Sequence, residues 1–256
     1  MAHTRNALVK NIFLIGPDAY NIQQSNLLKE IPEYEDLNFL PLLSKEEVLG
    51  KKNIDIRGLI QKAEESLSLF QAKGGLVHAI ISPWDFPSCF IACYLRNKLG
   101  LPSQTLESYF RCEHKYWSRI IQKKAFPQNV PDFKAFDPFD EESENLDFPL
   151  PFWLKPIKSF ESHLGFLIQS KSDLQQALRK IRESIHYLGD AFDEAIELSE
   201  ITKEVGHPPS YYCLAESLIS TPDQITVEGY CFKGHCKILG IVDTKKVRGG
   251  TSFQSY

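Results

Sequence analysis

The sequence has little of what marks several specialised classes of protein. Only six of its 256 residues are cysteine, far below the density of small secreted domains that depend on disulfides. No apolar run approaches the roughly 20 residues that a membrane-spanning helix needs. The net charge is −4, from 33 acidic and 29 basic residues, so no general nucleic-acid-binding surface is expected. These absences favour a protein with neither membrane nor nucleic-acid partners.

The N-terminus also lacks the features of a signal peptide. Its apolar run is short and ends at Gly16-Pro17-Asp18, where a signal peptide would have a longer apolar region and a small-residue cleavage site. We therefore interpret residues 11–15 as a first strand and expect a cytoplasmic protein.

The composition is that of an ordinary globular protein. Hydrophobic residues make up 43% and charged residues 24% of the chain, which is enough apolar material for a sizeable core. The length indicates one large or two smaller domains.

The first hundred residues alternate between buried-strand and helix patterns. Short apolar runs at 11–15, 37–43 and 76–81 predict three strands. Asp18 and Asp55 are placed to cap the helices that follow the first two strands. Pro41 is expected to break the second strand. This alternation favours a small open parallel sheet.

The second half of the chain has a different sequence pattern. Residues 105–126 predict one or two helices rich in charged and aromatic side chains. The acidic run 137–147 is interpreted as an exposed, solvated loop. A long helix is predicted from Ser172, with an interruption near Gly189. Residues 225–243 predict a hairpin.

A lysine inside an apolar strand is the most informative single feature. In the stretch FWLKP, Lys155 is costly to desolvate unless an anion meets its ammonium group, and Pro156 ends the strand. The small residues of the following loop are suited to close over a phosphate: Ser159, Ser162 and Gly165. The alternative is that Lys155 snorkels from an edge strand.

The cysteines of the predicted hairpin allow a second interpretation. Cys231 and Cys236 flank the sequence Phe-Lys-Gly-His. A metal site built from these two and His235 would lack a second pair of ligands. We therefore predict no metal-binding residue.

Four elements in order carry a family resemblance. After the open α/β region come HKYWSR, then FWLKP with its loop, then AES, then QITVEGYCFKG. This succession resembles the ATP-grasp superfamily, and specifically its biotin-carboxylase-like and amino-acid-ligase-like branches. The resemblance covers nearly the whole chain, and the order and spacing carry it because no single motif is specific.

The resemblance implies an α/β protein with the ATP-grasp fold. Residues 1–103 would form a Rossmann-like domain with an open parallel sheet, and 104–150 would form connecting helices and the start of the ATP-grasp domain. Residues 151–218 would form an α+β lid subdomain. Residues 219–256 would begin a C-terminal subdomain that is incomplete in this sequence.

The resemblance also assigns roles to residues. Lys115 and Lys155 match the two lysines that contact phosphates, and the loop with Ser159, Ser162 and Gly165 matches the mobile lid. Glu216 matches the hinge acid that accepts from the adenine amino group. Ile219 would offer its backbone to the ring and Gln224 would bind the ribose. Without the family context, Lys115 would be an ordinary surface lysine and Glu216 a partner for a neighbouring lysine.

The implied function is that of an ATP-dependent ligase. It would activate an unidentified carboxylate as an acylphosphate for attack by an amine or other nucleophile, with ATP and Mg²⁺ as cofactors. The magnesium ligands of the family are expected beyond Tyr256, so two alternatives remain: an inactive truncated fragment, or a non-catalytic nucleotide-binding or interaction module. A homodimer is a further expectation, and no catalytic residue is assigned.

Overall fold

Strands and helices alternate through the first hundred residues, as the sequence predicts. In this computed structural model, the described residues are 9–50, 53–159, 163–201, 207–219, 225–243, 245–246 and 253–255. The elements in order are β1 (Lys10–Ile15), α1 (Ala19–Lys29), β2 (Leu37–Leu43), α2 (Lys45–Leu49), α3 (Ile56–Ala72), β3 (Val77–Ile81) and α4 (Ser88–Lys98). The strands form a parallel sheet in the order β2-β1-β3, which confirms the predicted parallel sheet.

Aspartates begin two of these helices, at the predicted positions. The side chain of Asp18 accepts a hydrogen bond from the backbone N–H of Asn21 at 2.9 Å, and that of Asp55 accepts from Gly58 at 2.8 Å. Each bond satisfies a backbone donor that the first helical turn leaves without a partner.

The expectation that Pro41 breaks the second strand is wrong. Strand β2 runs through Pro41, which pairs with Leu14, and the register shifts between Leu14 and Ile15. Because β2 lies at the edge of the sheet, a residue without an N–H is tolerated there.

The next elements build a second sheet with helices. They are α5 (Leu106–Glu113), α6 (Lys115–Ala125), β4 (Phe133–Phe136), β5 (Phe152–Pro156), β6 (Phe166–Ile168), α7 (Lys171–Ser184), α8 (His186–Leu198) and β7 (Cys213–Ser217). The strands are ordered β4-β7-β5-β6. Strand β5 therefore lies directly beside β7, although some 60 residues separate them along the chain.

Residues 105–126, predicted as one or two helices, form two helices that meet at a buried histidine. His114 ends α5 and caps α6, because its Nδ1 accepts from the backbone N–H of Trp117 at 3.3 Å. Its Nε2 lies 3.0 Å from the carbonyl oxygen of Pro208 and must donate to it, which fixes the neutral tautomer. Burial lowers the pKa of His114 to about 4. The histidine thereby joins the start of α6 to the segment that precedes β7.

Two apolar cores organise these elements. One contains the parallel sheet, α3, α4 and α5, and it includes Phe86, Phe110 and Phe192; the Phe192 ring packs edge-on against the other two. The other lies between β5, β6, β7 and α7. Helix α8 belongs to the first core, although it follows the strands of the second sheet in sequence.

The acidic run 137–147 is not a simple solvated loop. Residues 141–145 form a short 3-10 helix, and Ser143 is buried. The guanidinium of Arg182 donates to Pro138 O at 2.7 Å and to Ser143 Oγ at 3.0 Å, and it pairs with Glu144. One arginine on α7 therefore anchors the segment.

The chain separates into two compact units, Met1–Glu216 and Ser217–Tyr256. The second unit contains the predicted hairpin, β8 (Ile225–Phe232) and β9 (His235–Asp243), and two short strands, β10 (Lys245–Lys246) and β11 (Phe253–Ser255). Cys231 and Cys236 face each other across the hairpin and form a disulfide. The metal interpretation would need both of these thiols.

Among the residues that the structure describes, no helix is long and apolar enough to cross a bilayer.

The predicted interruption near Gly189 falls elsewhere. The break between α7 and α8 is at Ile185, and Gly189 lies inside α8. A Cβ added at Gly189 would meet the backbone nitrogen and Cα of Tyr211 at 2.9 Å. The glycine thus permits a close approach between α8 and the segment that leads into β7.

We expect Gly189→Ala to destabilise the protein. Alanine gains about 1 kcal/mol of helix propensity over glycine, but overpacking against a backbone that cannot move aside costs about 1–3 kcal/mol or more. Urea denaturation should show a net decrease in the free energy of unfolding. Gly240→Ala is the control, because no atom lies within 4 Å of a Cβ added there. An increase in stability for Gly189→Ala would contradict the close approach.

Candidate functional site

Two charged side chains meet where β5 lies beside β7. The Nζ of Lys155 on β5 lies 2.5 Å from Oε2 of Glu216 on β7. The Glu216 side chain is only 7% exposed. The sheet order brings the two residues together, because neighbouring strands place their side chains on a shared face. Lys155 is therefore met by an anion, as its place in an apolar strand required.

A second cation reaches the same carboxylate from α6. The Nε of Arg119 lies 2.6 Å from Oε1 of Glu216. Its Nη1 donates to Oε1 of Gln122 at 2.8 Å, one turn further along the helix. The two oxygens of Glu216 thus serve two different cations.

Lys115 projects from the same helix as Arg119, one turn earlier. Its Nζ donates to the carbonyl oxygen of Ser159, in the loop after β5. Burial, together with the ammonium groups of Lys158 and Lys155, lowers the pKa of Lys115 to about 7, while Glu113 and Glu216 oppose the shift. Near neutral pH, Lys115 is poised between its charged and neutral forms.

The site carries an excess of positive charge. Lys155 and Arg119 pair with one carboxylate, Glu216, and Lys115 is close enough for the charges of Lys155 and Glu216 to act on it. Burial also lowers the pKa of Lys155, although Glu216 opposes that effect. Desolvated cations that outnumber the carboxylates around them favour a further anion. The arrangement is suited to a polyanionic ligand such as a phosphate chain.

A third buried lysine, Lys158, is already paired and is not available to bind a phosphate chain. The Nζ of Lys158 lies 2.5 Å from Oε2 of Glu113, and its side chain is 2% exposed. It also lies over the rings of Phe86 and Phe192, at 5.2 and 4.7 Å from their centroids. A carboxylate and two ring faces satisfy this ammonium group, so it fastens the loop after β5 to the first core.

A cavity opens at the end of the parallel sheet, in the same unit. Its volume is about 400 Å³, and it lies where the segment after β3 meets α2 and α8. The lining includes the side chains of Val48, Trp84, Phe86 and Leu188. The carboxyl ends of parallel strands are where open α/β sheets bind ligands.

The structure brings some predicted residues together and leaves others apart. Lys115, Lys155, Ser159 and Glu216 meet in one site, with Ser159 contributing its backbone carbonyl. Gly165 directly precedes β6. Ile219 is exposed and belongs to the second unit. Ser162 and Gln224 lie outside the described residues.

Sequence reasoning missed Arg119, Glu113 and Lys158. The spacing of four between Lys115 and Arg119 could have identified Arg119, because residues i and i+4 share a helix face. For Lys158 and Glu113 the sequence carries no comparable signal, since 45 positions separate them.

No magnesium ligand can be assigned from the structure. Within the described part of the chain, no group of three or more His, Cys, Asp and Glu side chains could hold a metal ion. The available acids of the site, Glu113 and Glu216, are each paired with cations.

Comparison with solved structures identifies the fold. The chain is similar to L-amino acid ligase from Bacillus licheniformis, with a TM-score of 0.63, 15% identity, and coverage of 94% of this chain and 52% of the ligase. It is similar to biotin carboxylase from Campylobacter jejuni, with a TM-score of 0.59 and 14% identity. That match covers 94% of this chain and 52% of the carboxylase. It is also similar to D-alanyl-alanine synthetase A from Vibrio cholerae, with a TM-score of 0.57 and 13% identity. That match covers 94% of this chain and 69% of the synthetase.

These proteins are ATP-grasp enzymes, and the chain has the ATP-grasp fold that they share. It spans about half the length of the first two. No protein-family model matches the sequence, and no curated protein matches it either.

The contacts of Lys158 lead to a stability prediction. Glu113→Gln leaves a buried ammonium group without its counter-ion and should cost about 1–3 kcal/mol. Adding Lys158→Met should restore most of that loss, because a flexible apolar chain of similar length fills the space between the two rings. Urea denaturation of the single and double variants measures both effects. A double variant as unstable as Glu113→Gln would contradict the assigned pairing.

Proposed function

We propose that this chain binds ATP and acts as an ATP-dependent carboxylate ligase. The observation that carries the proposal is the pairing of Lys155 and Arg119 with the single carboxylate of Glu216, with Lys115 one turn before Arg119 on α6. The ATP-grasp fold supports it, because the site lies on the strands and the helix where the resemblance places the phosphate lysines and the hinge acid.

Each residue has a distinct role in this proposal. The ammonium groups of Lys115 and Lys155 bind phosphate oxygens as point charges. Glu216 accepts from the adenine amino group, since a carboxylate has about four acceptor positions and its pair with Arg119 leaves capacity for another bond. Ser159 and Gly165 bound the loop that closes over the phosphates. Ile219, Ser162 and Gln224 keep their proposed contacts to the ring, the phosphates and the ribose.

The proposed reaction is a phosphoryl transfer followed by an acyl transfer. A carboxylate oxygen of the substrate attacks the γ-phosphorus, the bond to the β-phosphate oxygen breaks, and ADP leaves. An amine or other nucleophile then attacks the acyl carbon and releases phosphate. The chain's own contribution is positioning and neutralisation of charge. Magnesium is proposed to accompany ATP, and no described residue is assigned to hold it.

Other features remain proposals on the same basis. They are a cytoplasmic location, assembly as a homodimer, and the domain boundaries at residues 103, 150 and 218.

Lys155→Ala tests nucleotide binding. Loss of one charge-assisted hydrogen bond is worth about 1.5–3 kcal/mol, so we expect affinity for ATP to fall about 10- to 100-fold. Calorimetry with ATP and magnesium on both proteins measures this. The fold should persist, because Arg119 still pairs with Glu216.

Lys124→Ala is the matched control, since Lys124 is an exposed lysine on α6. Equal binding by wild type and Lys155→Ala, or no binding by the wild type, would refute the assignment. Binding without release of ADP in a screen of carboxylates would instead favour the non-catalytic module.

Binding of ATP should also be coupled to a proton. The pKa of Lys115 is about 7 in the free protein, and a bound phosphate favours the charged form and raises it. Below pH 7 the lysine is already charged, so affinity is highest there. Above pH 7 affinity falls, and binding takes up nearly one proton at pH 8, where phosphate groups are already fully ionised.

Calorimetry at pH 8 in two buffers of different ionisation enthalpy measures this uptake. Lys115→Met should abolish it. Proton uptake that persists in Lys115→Met would assign the effect to another group.

A further inference from the structure

Glu216 is unusual among the paired acids of this site because it has two cationic partners, and the two are held differently. Arg119 is fixed at both ends of its guanidinium: Nε contacts Oε1 of Glu216 at 2.6 Å, and Nη1 contacts Gln122 at 2.8 Å. Gln122 in turn donates to Ser118 Oγ at 3.1 Å. Lys155, by contrast, contacts Glu216 through its single ammonium group, which donates to Oε2.

In the proposed function, Lys155 has a second anionic partner besides Glu216, namely the phosphates of the nucleotide. If its ammonium binds phosphates, it must turn away from Glu216 when the nucleotide enters. The carboxylate is 7% exposed, and a buried carboxylate without a counter-ion is strongly disfavoured. Some other charge must remain beside Glu216 for the exchange to proceed.

We propose that Arg119 is that charge: it holds the Glu216 carboxylate in place while Lys155 moves from Glu216 to the phosphates. Arg119 is then a positioning residue for recognition of the purine 6-amino group, and Lys155 acts on the phosphates. This inference rests on the proposed function, because the ligand is a nucleoside triphosphate.

The geometry supports this division of labour. The two cations contact different oxygens of Glu216, so one can leave without disturbing the bond of the other. Arginine also suits the fixed position, since its guanidinium is planar and always charged, whereas a lysine is a point charge on a flexible stem. The carboxylate held by Arg119 accepts from an amino group and repels a carbonyl oxygen at the same place.

The two cations should therefore affect different parts of a nucleotide. ITP carries a carbonyl oxygen where ATP carries the amino group, so the ratio of the two affinities reports on Glu216. Lys155→Met should weaken ATP and ITP equally and leave the ratio near the wild-type value. Arg119→Gln should reduce the ratio about 10-fold, the effect of one hydrogen bond to a charged group.

Two further variants separate positioning from a general loss of charge. Arg119→Lys keeps the charge and should restore much of the ratio. Lys124→Gln makes the same change of charge on an exposed face of α6 and should leave both affinities unchanged. A wild-type ratio in Arg119→Gln, or an equal loss in Lys124→Gln, would overturn the proposal.

A measurement without nucleotide keeps the two proposals distinguishable. Thermal unfolding of Lys155→Met should be close to wild type, because Arg119 alone suffices for Glu216. The double variant Arg119→Gln with Lys155→Met should melt much lower, and adding Glu216→Gln should restore it. If the wild type binds no ATP, the proposed function fails, while this series still decides the role of Arg119. A Lys155→Met protein as unstable as the double variant would overturn that role.

Discussion

The pairing of the buried Glu216 carboxylate with Arg119 and Lys155 is the interaction on which the site depends. It joins α6, β5 and β7, since Arg119 and Lys155 lie 97 and 61 positions away from Glu216 in sequence. Charges removed from water must be compensated locally, so these three elements cannot shift independently. The position of Lys115 follows from the same constraint, because Lys115 and Arg119 share one face of α6.

Lys155 and Lys158 show how surroundings decide what a lysine can do. Both are largely buried and only three residues apart. Lys158 has its own carboxylate and two ring faces, so its charge is balanced and its role is structural. Lys155 shares its carboxylate with an arginine, which leaves the site with excess positive charge. The two lysines therefore differ in the balance of charge around them.

The ATP-grasp fold and the site support the proposed function in different ways. The fold is shared with an L-amino acid ligase and a biotin carboxylase at 15% identity or less, and a fold alone does not establish an activity. The site adds specific charges: a lysine whose pKa is lowered to about 7, a second lysine paired with Glu216, and an arginine paired with the same acid.

The sequence by itself determined the local features of this protein. Helix caps at Asp18 and Asp55, the three buried strands and the exceptional place of Lys155 depend on near neighbours and on the period of apolar residues. The order of four elements also indicated the fold. Only the tertiary structure decided that Pro41 lies on an edge strand, that Gly189 meets Tyr211, that Arg182 anchors the acidic segment, and that Arg119 shares Glu216 with Lys155. These features depend on contacts between residues far apart in the chain, and local patterns do not specify which strands become neighbours or which buried charges meet.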